Sequence, residues 1–220
     1  MIKLAKTPNL TELTYRSIKQ HILEGTYEEN SRLTEDALAQ QLGISKSPVR
    51  EALNRLESEG LICIEARRGA YVRQFSAKEI FDLYDLREVL EIHAIGQAKI
   101  TPKLLSELLK NIQSCEKLLA AGNKAKYVVE DMRFHGLITS AAANDELCRI
   151  LDNLHTKILL FRYRSYTLSA SVSPTAHMKI YRALERGNCS EAQAAMKEHI
   201  CFVRDRLLKS LDESKPLSAD

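Results

Sequence analysis

No run of 18 or more apolar residues occurs anywhere in this 220-residue chain, so no transmembrane helix is expected. The segment Met1 to Leu13 lacks the apolar stretch of a signal peptide, which places the expected location in the cytoplasm. Cysteine is sparse and scattered. Cys63, Cys115, Cys148, Cys189 and Cys201 are odd in number and form no C-x-x-C pair, so they read as free thiols in a reducing compartment. A large charge of one sign is also missing. Residues 1–75 carry 11 Lys/Arg against 10 Asp/Glu and the remainder 21 against 19, so bulk charge announces no nucleic-acid partner. Only the local placement of charge can carry such an argument. Repeats and low-complexity tracts are absent as well.

What is present is 45% apolar residues, enough to build packed cores, in a length that suits one large domain or two modest ones. The chain has two textures, which divide it into residues 1–75, residues 76–213 and a polar tail, 214–220. The first part reads as three short helices followed by a hairpin. Helix one runs from about Thr11 to Glu24 with Leu13, Ile18, Ile22 and Leu23 inward, and Gly25 ends it. Thr34 caps helix two, with Glu35 and Asp36 at its positive end. Gly43 breaks that helix, and Ser45 caps a third with Val49, Leu53 and Leu56 buried and Pro48 in its first turn. Leu61–Glu65 and Ala70–Arg73 form a hairpin around Arg67-Arg68-Gly69.

The second part reads as an all-α bundle of six helices, near 77–99, 102–121, 124–142, 145–168, 174–186 and 190–213. Ser76 with Glu79, and Ser190 with Gln193, read as capping boxes. Thr101-Pro102 and Ser173-Pro174 each read as a cap followed by proline. The fold class expected is mainly α: a winged helix-turn-helix followed by a helical bundle.

In a winged helix-turn-helix the second helix of the turn enters the major groove. Lys46, Ser47 and Arg50 occupy the first turns of that helix, opposite the apolar stripe. The arginine fork matches guanine O6 and N7. Arg67 and Arg68 at the hairpin tip could reach phosphate or a neighbouring groove. A merely solvated basic face has the same pattern.

The residues from Leu33 to Leu53, among them Thr34-Glu35-Asp36-Ala37-Leu38-Ala39 and Gly43-Ile44-Ser45-Lys46-Ser47-Pro48-Val49-Arg50-Glu51-Ala52-Leu53, closely resemble the GntR family of bacterial regulators. Arg55 to Ile62 and Arg68-Gly69-Ala70-Tyr71-Val72 extend the resemblance through the helix end and the wing. It implies that Ser45, Lys46, Ser47 and Arg50 contact bases and phosphates, and that Gly69 lets the wing approach the DNA backbone. Lys46 stands where the family more often has Arg, which weakens a bidentate guanine contact. Asp36 stands where some members carry a DNA-contacting Arg, and no contact is carried onto it.

In the second part, Asp131 and His135 are four apart on one helix face, while His177 and His199 fall on the last two helices. Three helices can converge such side chains on one interior point, and a carboxylate with imidazoles suits Zn, Ni or Mn. By spacing alone each histidine reads more readily as an ordinary hydrogen-bonded core or surface residue. Asp131-x-x-x-His135-Gly136-Leu137-Ile138, with Ala141, Asn144, His177, Gly187-Asn188 and His199, resembles the FadR-type C-terminal ligand-binding domain (FCD). That resemblance implies four metal ligands, Asp131, His135, His177 and His199, and an effector that is a small organic acid. Arg87 lies on the apolar stripe Ile80, Leu83, Tyr84, Arg87, Leu90, Glu91, Ala94 and could clamp a carboxylate. An intrahelical Arg87–Glu91 pair is the competing reading. Arg162 is the second effector candidate, with surface solvation its expected fate.

The expected protein is a ligand-responsive homodimeric repressor of a palindromic operator. One alternative keeps the regulator but gives it a metal-free pocket for an acyl or other apolar ligand. The other is a metal-dependent hydrolytic or oxygen-using enzyme. No acid or base beside the four ligands is identifiable for that chemistry, and the expectation is a non-enzyme.

Overall fold

The computed structural model describes residues 10–66 and 68–213; Arg67 and the tail 214–220 lie outside the described residues. The chain forms two compact units divided between Gln74 and Phe75. The first holds α1 (Leu10–Leu23), β1 (Arg32–Leu33), α2 (Glu35–Leu42), α3 (Lys46–Ser58), β2 (Ile62–Glu65) and β3 (Gly69–Val72). Ile18 and Ile22 of α1 meet Val49, Ala52, Leu53 and Leu56 of α3 in a core from which water is excluded. Leu13, expected inside, is exposed, and Tyr15, two residues on and so on the other side of the helix, takes the inward position. The Tyr15 hydroxyl donates to Glu59 at 2.6 Å and its ring carries the Arg55 guanidinium at 3.7 Å, which ties α1 to α3.

The α2–α3 corner follows from three residues. Thr34 accepts from the Ala37 N–H and starts α2. Gly43 adopts φ 66°, a left-handed conformation that side chains with a Cβ resist, and ends it. Ser45 takes the extended backbone of a cap, although its hydroxyl makes no capping bond. The wing contains more than the expected hairpin. β1 pairs antiparallel with β3, and β3 with β2, in the order β1-β3-β2. Two residues are too short a run to show an alternating pattern, so β1 leaves no sequence signal. Gly69 at the tip has φ 104°, and a Cβ there would meet the Arg32 guanidinium at 3.3 Å. Its need for glycine is therefore set inside the wing itself.

The second unit holds α4 (Ala77–Gln97), α5 (Pro102–Ala120), α6 (Lys124–Ala141), α7 (Asp145–Arg164), α8 (Tyr166–Ser169), α9 (Ser173–Glu185) and α10 (Cys189–Glu213). Ser76 and Glu79 exchange the two bonds of a capping box, while Thr101 and Asn144 cap α5 and α7. The expected box at Ser190 and Gln193 is replaced. α10 begins one residue earlier, and the Asn188 side chain accepts from the Glu191 N–H at 3.1 Å. The helix expected over 145–168 breaks at Ser165, and the short α8 follows it. α4 packs on α10, α5 on α6, and α9 on both α5 and α10. Leu108, Ile112, Phe134, Ile158, Ile180, Met196 and Ile200 fill the interior between them. Among the described residues no helix is long and apolar enough to cross a membrane. All five cysteines are free thiols.

Candidate functional site

Two surfaces carry chemistry, one in each unit. In the first unit α3 buries Pro48, Val49, Ala52 and Leu53, and this turns Ser45, Lys46, Ser47 and Arg50 outward together. Both cations are held by the first turn of α2. Arg50 donates from Nε and Nη2 to the two carboxylate oxygens of Glu35 at 2.8 and 2.7 Å. Lys46 lies 2.5 Å from Asp36. Exposed pairs of this kind add little stability and exchange readily for another anion, so they orient the Arg50 fork without locking it. Arg68 and Gly69 stand at the wing tip, with Arg68 exposed. Arg32 lines the groove between wing and helix together with Arg50 and Asn54. Sequence reasoning missed Arg32, since the strand that carries it was not visible.

The second surface is internal. His135 on α6, His177 on α9 and His199 on α10 bring one ring nitrogen each within 4.8 Å of one another, all three buried. His177 Nε2 and His199 Nε2 are 3.3 Å apart. Two imidazole nitrogens bound to one tetrahedral ion at about 2.0–2.1 Å stand at roughly this separation. Burial pushes His135 down to about 4 and His177 to about 3, and carries His199 well below the ordinary range. Near neutral pH all three rings are therefore uncharged, the form that ligates metal.

Glu91 sets the orientation of His135. Burial opposes its charge, but Arg87 and the hydrogen bonds from His135 and His155 hold its carboxyl well below the usual range. It is then acceptor-only. His135 must present Nδ1–H to it, at 2.5 Å, which leaves His135 Nε2 bare, buried and without a partner. A bare imidazole nitrogen of this kind can ligate a metal ion, and its tautomer follows from the carboxylate behind it. Glu91 also accepts from Arg87 Nε at 2.6 Å and His155 Nε2 at 2.9 Å.

Asp131 stands at the margin of the trio, with Oδ1 3.9 Å from His177 Nε2. Its other oxygen accepts from Arg162 Nη2 at 2.6 Å. Burial disfavours the charged carboxyl, yet the Arg162 guanidinium outweighs this and keeps it ionised. Arg162 corrects the expectation of surface solvation. It is 2% exposed, drawn inward by Asp131 and by Ser169, to whose hydroxyl Nη1 donates. The break at Ser165 is what allows Ser169 to reach back to Arg162. Arg87 makes the intrahelical pair with Glu91 and still keeps Nη2 unpaired, so the pair and a free donor coexist.

Five buried polar atoms without partners belong to residues of this cluster or to their direct neighbours: Tyr84 Oη, Arg87 Nη2, His135 Nε2, Arg162 Nε and His177 Nδ1. Buried polar groups are ordinarily satisfied. Unpaired donors and acceptors of this kind are groups that a polar ligand would satisfy. The donor set fits a divalent transition metal, and the unpaired guanidinium N–H groups fit an oxyanion. Sequence reasoning missed Glu91 as the anchor of His135, and His155 as its companion. Their one signal was Glu91's place on the inward stripe of α4.

A winged helix-turn-helix joined to a helical domain with a buried polar site defines a ligand-responsive DNA-binding regulator. Residues 10–72 match the bacterial regulatory proteins of the gntR family, and residues 82–201 match the FCD domain. The Nta operon transcriptional regulator of Aminobacter aminovorans is 31% identical over 189 residues, covering 83% of this chain and 87% of its own. The gluconate operon transcriptional repressor of Bacillus licheniformis is 31% identical over 140 residues, covering 62% of this chain and 57% of its own. Among solved structures, E. coli McbR/YncC shares the fold with a TM-score of 0.80 at 20% identity, covering 96% of this chain and all of that one. The chain belongs to the GntR family of transcriptional regulators, with an FCD domain as its second unit. The matched domains and relatives are regulators rather than enzymes.

Proposed function

We propose that this chain is a homodimeric repressor that holds a Zn, Ni or Mn ion in its FCD domain and leaves its operator when a small organic acid binds beside that ion. The observation that carries the reading is the convergence of three buried, neutral imidazoles beside an ionised carboxylate. His135, His177, His199 and Asp131 would hold the ion. Bound there, it would supply a Lewis-acid position for an acid's oxygen. Arg87 Nη2 and Arg162 Nε are the unpaired donors that would take the carboxylate. The polar character of this interior disfavours an acyl or other apolar ligand.

In the first unit Ser45, Lys46, Ser47 and Arg50 would read the major groove. Arg67, Arg68 and Gly69 would bring the wing to the backbone. Two copies would present these helices to a palindrome with half-sites about 34 Å apart. Leu86 and Val89 on α4 are exposed apolar side chains that fit a face covered by a second copy. Only four residues separate the end of β3 from the start of α4, so a shift of α4 on acid binding would be transmitted through a short connection. The acid can move the equilibrium only by its differential affinity for the two states. The names of the two relatives, one regulating an operon and one repressing a gluconate operon, favour repression and an acid effector.

The test is an electrophoretic shift of the DNA that flanks the chain's own gene, using metal-loaded and chelator-stripped protein. The metal-loaded complex should dissociate on addition of one member of a panel containing acetate, glycolate and gluconate. A complex that ignores every acid, with or without metal, contradicts the reading.

A further inference from the structure

Tyr84 lies one turn before Arg87 on α4, fully buried, and its hydroxyl has no hydrogen-bond partner. A buried tyrosine hydroxyl ordinarily finds one. The Phe161 ring, 6.0 Å away between centroids, and the Arg87 guanidinium, 5.7 Å from the Tyr84 ring, confine the side chain on two sides. The charged groups that act on it are Arg162, Arg87, Asp131 and Glu91, the two buried ion pairs of the site. Both guanidiniums keep one N–H unpaired. Three donors on α4 and α7 thus share one interior region, and two of them are the groups assigned above to the acid's carboxylate.

A carboxylate has two oxygens for two guanidiniums, which leaves the tyrosine hydroxyl unmatched by an unsubstituted acid. We propose that Tyr84 is a selectivity residue of the effector site, whose hydroxyl donates to a further oxygen carried by the acid beside its carboxylate. The proposal rests on the organic-acid reading of the preceding subsection. Its physical basis is asymmetric discrimination. A site with a buried donor strongly rejects an analogue that lacks the matching acceptor, because the donor then stays unpaired in a dry interior. Glycolate and acetate differ by that one hydroxyl.

The experiment is calorimetric titration of the full, metal-loaded chain with glycolate and with acetate, for the parent and for Tyr84→Phe. Phenylalanine fills the same volume and removes only the unpaired hydroxyl. The parent should bind glycolate at least about tenfold more tightly than acetate. Tyr84→Phe should bring the two acids within about twofold through a loss on glycolate alone, with metal content and melting temperature unchanged or the latter raised. Glycolate preference retained in Tyr84→Phe overturns the proposal, because the preference would then come from the ion. A lowered melting temperature in Tyr84→Phe also overturns it, because the hydroxyl would then be a structural group. A parent that binds neither acid overturns this proposal, and the organic-acid reading falls with it only if gluconate also leaves the operator complex intact.

Discussion

Freed of metal by chelator, the Arg162→Met protein is expected to melt roughly 10 °C below the parent. Arg162 and Asp131 are both buried, and the substitution leaves the Asp131 carboxylate without its cation. Breaking a buried ion pair by removing one partner costs about 3–5 kcal/mol, since the remaining charge stays desolvated. In a unit of this size each kcal/mol moves the transition by roughly 2–4 °C. Methionine fills most of the volume, so the loss reports charge rather than a cavity. Ser169 loses its guanidinium partner at the same time, which adds to the cost. The deficit should shrink when Zn is added back, because a cation coordinated by Asp131 supplies the missing neutralisation. Thermal melts of parent and variant, each with chelator and with Zn, check this. A deficit that Zn leaves unchanged would remove Asp131 from the ligand set.

The second large effect belongs to the DNA-reading helix. Arg50→Ala should weaken binding to the operator by roughly 10- to 100-fold, the range expected for one lost bidentate base contact. Binding to unrelated DNA should change little, and the melting temperature should stay where it was. The side chain is exposed, and its carboxylate partner, Glu35, is left in solvent rather than in a core. Footprinting of parent and variant on the same operator fragment separates specific from general binding. An unaltered footprint would take Arg50 out of the recognition surface. A uniform loss on all sequences would reduce it to a phosphate contact.

Much of this architecture was legible because it is local. Thr34, Gly43, Ser76 and Thr101-Pro102 announce helix ends through their own backbone preferences, and the helices lie where those residues put them. The exposed row Ser45, Lys46, Ser47 and Arg50 follows from helical spacing against Val49 and Leu53. What stayed hidden depends on distant partners. Arg162 reads as a surface residue until Asp131, 31 positions away, is seen to reach it. Glu91 reads as half of a pair with Arg87, and its second role appears only when α6 brings His135 against it. The first turn of α10 was misassigned because Ser190-x-x-Gln193 and Asn188-x-x-Glu191 offer competing caps two residues apart, and packing decided between them. The three histidines were legible as candidates, His135 by its four-residue spacing from Asp131 and His177 and His199 by their places on the last two helices. Their neutrality was not, since it comes from complete burial.

The account stands or falls on the ion inside the bundle. Elemental analysis of the parent and of His177→Ala, both purified without chelator or a nickel column, tests it most directly. The parent should carry one equivalent of Zn, Ni or Mn per chain. The variant should fall below about a tenth of that, because even loss of a hydrogen bond that merely supports a ligand weakens metal binding 10- to 100-fold. A parent that stays metal-free after exposure to all three ions would contradict the account.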